Sequence, residues 1–437
     1  MKPLPLKAIA HLLGKSDTTR TLVQGVAIDS RQVKKGDLFF ALPGERVDGH
    51  CFIEEAALKG AAGVVVKEGY KGACFGLPKL FVSDVLPALQ MLARKSLAKR
   101  SSKVVAITGS LGKTTTKDFA TTLLSGSFHL FASPKSYNSQ VTVPLSILMA
   151  DETEDILVLE MAMSEPGQIA RLVSIAPPDI AILTTVSLQH VCHFPGGLID
   201  IAREKAAIFS HPKTGLGILN RDMPYFEEIL STGNNRKLCY SLSSSKADFF
   251  LEVKTNGATI HTKEGASLDF SLQLPMKAFY QNFLAAAVLA KTMGVSWEVI
   301  QKRAAHLKLP PQRFERVERG GIIFINDAYN ANPDAMKAAL ESLPKPQPGG
   351  KTIAVLGDMN ALGEHSKEGH ATVAEAALSY VDLLFCLGSR WEGTQAKMLF
   401  GTRTELENML KKTARPGDIV LLKGARQHAL EELLEKF

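Results

Sequence analysis

The chain has 437 residues, enough for two or three domains, with an apolar content ordinary for soluble protein and a net charge of +7. That charge suits an anionic small-molecule substrate, while scattered lysines and arginines, without a basic helix or an aromatic RNA-binding run, exclude nucleic-acid binding as the expected role. The five cysteines are far apart and never form a Cys-x-x-Cys pair, so free thiols are expected rather than a disulfide or zinc framework. No apolar stretch approaches about 18 residues and no signal-peptide pattern opens the chain, so a cytoplasmic enzyme without membrane insertion is expected.

In chain order, the first block runs to about residue 100. It holds short alternating β-like segments at Gly25 to Ile28, Leu38 to Ala41 and Gly63 to Val66, and an Asp48-Gly49 turn. A helical pattern from Val85 to Leu97 closes it, and the basic stretch from Arg94 to Lys103 reads as a linker. The second block carries apolar runs at Val104 to Ile107, Ile156 to Leu159, Ile180 to Leu183 and Gly217 to Leu219. Helical patterns at Gly167 to Ser174 and Leu198 to Phe209 sit between them. This alternation predicts parallel βαβ units with functional groups at the carboxyl ends of the strands. Residues 236–274 read as an antiparallel insertion with an Asn256-Gly257 hairpin, and Asn282 to Met293 as a buried alanine-rich helix. The third block begins near Pro310-Pro311. Its runs at Ile322 to Ile325, Thr352 to Leu356, Leu383 to Leu387 and Ile419 to Leu422 predict a second open α/β sheet.

Residues 104–116, Val-Val-Ala-Ile-Thr-Gly-Ser-Leu-Gly-Lys-Thr-Thr-Thr, read as a buried strand, a glycine-rich turn and the start of a helix. Unpartnered N–H groups at such a turn favour a phosphate. Gly109 and Gly112 let the backbone approach it. Lys113 can reach terminal phosphates, and a hydroxyl of Thr114 or Thr115 can hold Mg²⁺. Ile107 stands where the general P-loop has its first glycine, so the loop is a shortened form.

Glu160 closes the strand after this unit, where a carboxylate can coordinate magnesium. His190 follows the next strand; taken alone it fits a surface histidine as well as a ligand. Lys205, taken alone, is an ordinary solvated lysine. Arg313, at the second linker, is either a solvent-exposed arginine or a guanidinium that swings onto a γ-phosphate. The segment Asn326 to Pro333 is a plausible substrate loop at a strand's carboxyl end, and Asn332 before Pro333 has the chemistry of a helix N-cap.

These pieces in this order resemble the Mur ligases, ATP-dependent amide-forming enzymes of peptidoglycan precursor synthesis, and within them the F type. The resemblance rests on Asp29 to Phe39 and Gly44 to His50, similar to a uridine-diphosphate-binding segment, and on Thr108 to Thr116, similar to the family's shortened loop. It rests also on Glu160-Met161, Thr184 to His190, Ile201 to Lys205, Asn326 to Pro333 and Leu356 to Met359. Departures are Ser139 for a second asparagine, Thr142 for a glycine, Ala278 and Phe279 in the adenine-pocket stretch, and Cys192 for a glutamate.

The resemblance implies three α/β domains: a small N-terminal UDP-sugar-binding domain (1–100), a central P-loop parallel-sheet ATPase-like domain (101–312) and a C-terminal Rossmann-like open α/β domain binding the amine acceptor (313–437). It implies ATP and Mg²⁺ as cofactors, with UDP-N-acetylmuramoyl-tripeptide and D-alanyl-D-alanine as substrates of a monomer. Lys113, Lys205, His190 and Arg313 would be catalytic, with Lys205 carbamylated; an ammonium that binds substrate phosphate is the alternative for Lys205. ATP would contact Gly109, Ser110, Leu111, Gly112, Lys113, Thr114, Thr115, Asn282, Arg313 and Asp327. Thr114, Glu160 and His190 would hold the metal. Ser30, Glu45, Arg46, Asn138, Asn330 and Asn332 would contact the other substrates.

Overall fold

The computed structural model describes residues 2–16, 18–44 and 47–437. Three α/β sheets follow one another along the chain. The first has four strands in sequence order, Gly25–Ala27, Asp37–Phe40, Gly63–Lys67 and Lys79–Val82, all parallel. Alternation was the expectation for these segments, but Asp37–Phe40 is buried at every position. A parallel sheet covered on both faces needs apolar side chains on both, and that removes the alternation.

The middle sheet has nine strands among the described residues. Its centre is Lys103–Thr108, flanked in parallel by Ile156–Glu160 and Ile180–Leu183. These runs of Val, Ile and Leu suit a pleated surface packed on both sides. On one face the helix Lys113–Leu124 packs against Lys277–Thr292 through Phe119, Ala120 and Leu123 with Phe283, Ala286 and Ala290. Each large apolar side chain buried there contributes about 1.5–3 kcal/mol. The second of these helices starts at Lys277, ahead of the expected Asn282.

The antiparallel reading of residues 236–274 needs correction. Arg236–Ser241 is parallel to Leu216–Asn220, and Phe249–Lys254 is parallel to Arg236–Ser241. Only the pairs formed by Phe249–Lys254, Gly257–Thr262 and Ser267–Phe270 are antiparallel, with Gly257 at the expected hairpin. The linker reading of residues 94–103 also needs correction. Helix Val85–Leu97 contains its first residues. Beyond the helix, Arg100 donates to the carbonyls of Asp151, Ile147 and Ala150, each at 3.0 Å.

The third sheet runs Glu315–Arg319, Ile322–Asn326, Ile419–Lys423, Thr352–Gly357, Leu383–Leu387, Met398–Phe400. The first pair is antiparallel and the rest parallel. The return of Ile419–Lys423 to the sheet's centre makes a crevice at the carboxyl ends of its strands, where open α/β sheets bind ligands.

Candidate active site

A cavity of about 600 Å³ lies where the carboxyl ends of the middle and third sheets meet. The phosphate loop forms its floor. Helix Lys113–Leu124 has no side-chain cap, and Gly112 precedes it with φ 83°. Its first-turn N–H groups therefore remain available beside the cavity, which Gly112 to Thr115 line. Gly109 has φ 149°, and a Cβ there would collide with Thr184 Oγ1, so only glycine fits. The loop is pinned to the segment after Ile180–Leu183: the Ser110 hydroxyl donates to the Ser187 carbonyl (3.0 Å), and Ser187 N–H donates back to Ser110 Oγ (2.9 Å).

Lys113 Nζ donates to the carbonyls of Gly109 (2.7 Å) and Ser110 (3.3 Å). Burial, with Arg313 nearby, draws its pKa down to about 8 against the attraction of Glu160. Glu160 pairs in register with Ile107 and is fully buried. Its Oε2 accepts from Thr114 Oγ1 (3.2 Å) and Asn138 Nδ2 (3.4 Å). Its Oε1 has no hydrogen bond and lies 3.4 Å from Lys117 Nζ. Burial raises the carboxyl's pKa, opposed by Lys117 and Lys113. Lys117 is itself buried and donates to the carbonyls of Ser133 (2.8 Å) and Lys135 (2.6 Å).

His190, with φ 55°, and Lys205 line the same cavity. Burial, then the charges of Lys205 and Lys113, holds the imidazole neutral down to about pH 4. Lys205 is 2% exposed, and burial with Lys113 nearby holds it well below the usual lysine range. A solvated lysine was one reading of this residue; the structure buries it. Its neighbour Glu204 accepts from the N–H groups of Gly167 and Ile169, both at 2.8 Å, at the start of helix Gln168–Ile175.

The third sheet supplies Arg313, Tyr329, Asn330, Asn332 and Lys423 to the cavity. Asn332 caps helix Pro333–Glu341 through Ala335 N–H (2.8 Å), as its position before Pro333 suggested. Asn330 stands at the cavity wall with its Oδ1 on Ala331 N–H (2.8 Å). Asp327, expected to contact ATP, has its Oδ2 2.5 Å from Lys423 Nζ and its Oδ1 on Phe314 N–H (3.1 Å). That carboxylate is engaged in the fold. Asn282 also sits behind the loop: its Oδ1 accepts from Thr116 Oγ1 (3.3 Å) and would collide with a Cβ on Gly112.

Asn138 reaches the cavity, whereas Ser30 lies apart from it and donates to Glu55 Oε2 (2.6 Å). Glu45 and Arg46 fall outside the described residues. Ser139 and Thr142 form a local cap: Ser139 N–H donates to Thr142 Oγ1 (3.0 Å) and Thr142 N–H to Ser139 Oγ (3.2 Å). Cys192 packs against Gly363, where a Cβ would stand 3.2 Å from that of Cys192.

Sequence reasoning missed Lys117, Lys423 and Tyr329. Two of them carried a usable signal. Lys117 is four residues after Lys113, one helical turn along the same face. Lys423 closes an apolar strand with a charge, the pattern that singled out Glu160.

A family model described as Mur ligase middle domain matches residues 107–290. One described as Mur ligase, glutamate ligase domain, matches 312–426, and one described as Mur ligase family, catalytic domain, matches 22–94. The UDP-N-acetylmuramoyl-tripeptide--D-alanyl-D-alanine ligase of Bacillus subtilis is 30% identical over 430 residues, which are 95% of this chain and 93% of that protein. The crystal structure of MurF from Acinetobacter baumannii superposes with a TM-score of 0.86 at 26% identity, covering 100% of this chain and 99% of the other. MurF from Thermotoga maritima in complex with ADP gives a TM-score of 0.80 at 30% identity, covering 94% and 96%. The shortened phosphate loop, the buried lysine and the strand-end carboxylate thus sit within a full-length match, and the chain belongs to the Mur ligase family.

Proposed function

We propose that this chain joins D-alanyl-D-alanine to UDP-N-acetylmuramoyl-tripeptide at the expense of ATP, releasing ADP and phosphate. The observation that carries the reading is the cavity in which Lys113, Lys205, His190 and Arg313 meet the Asn330 to Asn332 loop of the third sheet. The Bacillus subtilis relative carries this activity in its name, and the Thermotoga maritima MurF structure is described in complex with ADP.

A carboxylate is a poor electrophile, and phosphorylation by ATP gives it a leaving group. The phosphate loop and Lys113 bind the β- and γ-phosphates; Arg313 neutralises charge on the transferring group. The acceptor's amine then attacks the acyl phosphate from the third-sheet side, and the tetrahedral intermediate collapses to the amide. Enclosure between two sheets keeps water from the acyl phosphate.

The residues fit a divalent cation: Glu160 Oε1 is buried with no hydrogen bond, and Thr114 Oγ1 lies 3.2 Å from the same carboxylate. Glu160, Thr114 and the neutral His190 would hold Mg²⁺, which supplies charge neutralisation at the phosphates. Among the described residues no cluster of three His, Cys, Asp or Glu side chains forms a metal cage, which agrees with an ion held by phosphates and water as well as protein. Burial disfavours the charged form of Lys205, and its amine would capture CO₂ as a carbamate with loss of one proton; that anion would orient the metal's surroundings.

The first block, with Ser30, Glu45 and Arg46, receives the UDP moiety; ATP belongs to the middle sheet and the acceptor to the third. Among the described residues no helix is long and apolar enough to cross a membrane. A cytoplasmic monomer acting on soluble nucleotide precursors is the accompanying expectation. The test is ADP release from the full chain with ATP, the UDP-linked tripeptide and D-alanyl-D-alanine. ADP formation only with all three present supports the ligase. Release without an acceptor marks an ATP-hydrolysing switch, and release with a single diamino acid on a UDP-muramoyl dipeptide marks the E type.

A further inference from the structure

Two guanidinium groups share one aromatic ring beside the cavity. Arg313 Cζ lies 4.0 Å from the centroid of Tyr329, and Arg426 Cζ lies 5.2 Å from it. The two charges are therefore at most 9.2 Å apart, the sum of those distances. Neither has a hydrogen-bonded or ion-paired partner side chain among the described residues. Their neighbours differ. Lys423 is committed to Asp327 at 2.5 Å, and Arg390 is spent on the Met359 carbonyl (2.5 Å) and Asn360 Oδ1 (3.1 Å). Arg313 acts electrostatically on the Asp118 carboxylate but forms no ion pair with it among the described residues, and two like charges held over one ring with no paired carboxylate form a receptor for anions.

The two arginines come from different places. Arg313 is on the linker, lines the cavity and acts electrostatically on Lys113, so it faces the phosphates. Arg426 opens the turn Arg426–His428 beyond strand Ile419–Lys423, at the crevice of the third sheet. That turn is fixed: Ala425 N–H donates to the Asp358 carbonyl (3.0 Å), and Asn360 Nδ2 donates to Gln427 Oε1 (3.1 Å).

We propose that Arg426 receives the terminal carboxylate of the acceptor dipeptide, with the Tyr329 ring setting its distance from Arg313. This deepens the ligase reading and rests on it. The acceptor's amine must stand at the acyl carbon, next to the phosphoryl group that Arg313 faces. An extended dipeptide spans about 7 Å at most, a reach comparable with the 9.2 Å ceiling on the distance between the two guanidinium groups. A planar guanidinium matches a carboxylate with two parallel hydrogen bonds, and the ring holds its plane in place. Arg426 thus selects for a free terminal acid.

The test compares D-alanyl-D-alanine with its C-terminal carboxamide as acceptors, in the full chain and in Arg426→Ala and Arg426→Gln. The unaltered chain prefers the free acid by about 10- to 100-fold in kcat/KM, the range of a hydrogen bond to a charged group. Both variants lose that preference and raise the KM for the free dipeptide, while the KM values for ATP and the UDP-linked tripeptide stay put. A preference that survives in both variants overturns the assignment, as does an equal rise in the KM for ATP. If the unaltered chain ligates neither acceptor, the ligase reading beneath it fails instead.

Discussion

Two buried acid–lysine pairs, one in the middle block and one in the third, are built differently. In the third sheet Asp327 and Lys423 are 2.5 Å apart; Lys423 also donates to the Asn330 carbonyl (3.1 Å), and Asp327 accepts from Phe314 N–H. In the middle sheet Glu160 and Lys117 stand 3.4 Å apart, and Glu160 Oε1 has no hydrogen bond at all. The first pair has used its bonding capacity on the protein, and it ties the linker and the substrate loop to the sheet. The second keeps capacity in reserve. Unsatisfied buried oxygen is costly, about 1–3 kcal/mol or more for a charged group, so its presence at a phosphate loop marks a ligand's place.

The sharpest way to break this contrast is to remove the reserve. Glu160→Gln and Lys113→Ala are each expected to cut ADP formation by at least about 10³-fold, as removal of preorganised charge does. The unfolding midpoint of Lys113→Ala should stay near that of the unaltered chain, and Glu160→Gln should lose less stability than a closed pair would, because Lys117 keeps its two carbonyl acceptors and Asp118 at 3.2 Å. A near-normal rate in either variant would place phosphate binding elsewhere.

Lys205 also lines the cavity without an ion-paired carboxylate among the described residues. Lys205→Ala should be nearly inactive and regain part of its turnover with a short carboxylic acid supplied in solution. Lys205→Arg should resist rescue, because its charge is permanent. Full activity of Lys205→Arg in CO₂-free buffer would rule the carbamate out.

The closed pair should respond through stability. Asp327→Asn leaves Lys423 buried beside an uncharged partner and should cost about 3–5 kcal/mol in chemical denaturation. Replacing both residues with apolar ones of similar volume should recover most of that loss. If Asp327→Asn instead impairs ATP binding with unchanged stability, the pair belongs to the nucleotide site after all.

The smallest effect concerns pH. The His190 pKa is depressed from the usual 6.5 to about 4 in the folded chain. As pH falls from 6.5 towards 4 the unfolded chain takes up a proton that the folded one refuses, so stability is lost over that window, by roughly 3 kcal/mol at most. Unfolding measured at pH 7 and 4.5 should show a shallower decline in His190→Gln than in the unaltered chain. Parallel declines would mean that His190 titrates normally.

Much of this site was legible because strand-end residues carry it. An apolar run followed by Gly-x-x-Gly-Lys-Thr leaves little choice of geometry, and Glu160 falls beside the loop by register alone. The burial of Lys205 was not legible, since nothing in one lysine among helical residues reports what packs over it. That Asp327 pairs with Lys423 was not legible, since the two lie 96 residues apart. The direction of Arg236–Ser241 escaped for a related reason. A short apolar strand reads the same in either direction, and its neighbour decides.

Arg100 bears on how the molecule can move. Its three carbonyl contacts tie the end of the first block to the close of helix Thr142–Met149. Beneath them, Leu89, Leu92 and Ala93 share one continuous apolar cluster with Val143, Ile147 and Leu159. The first two sheets are therefore one anvil, and the third sheet is the hammer. It meets them through a smaller apolar contact around Met276, Phe279 and Phe314. Rotation about the linker before Arg313 would alter the distance between the phosphate loop and the third sheet without disturbing the joined first and middle sheets. Under the proposed assignment the UDP-linked peptide would rest on the part that does not move.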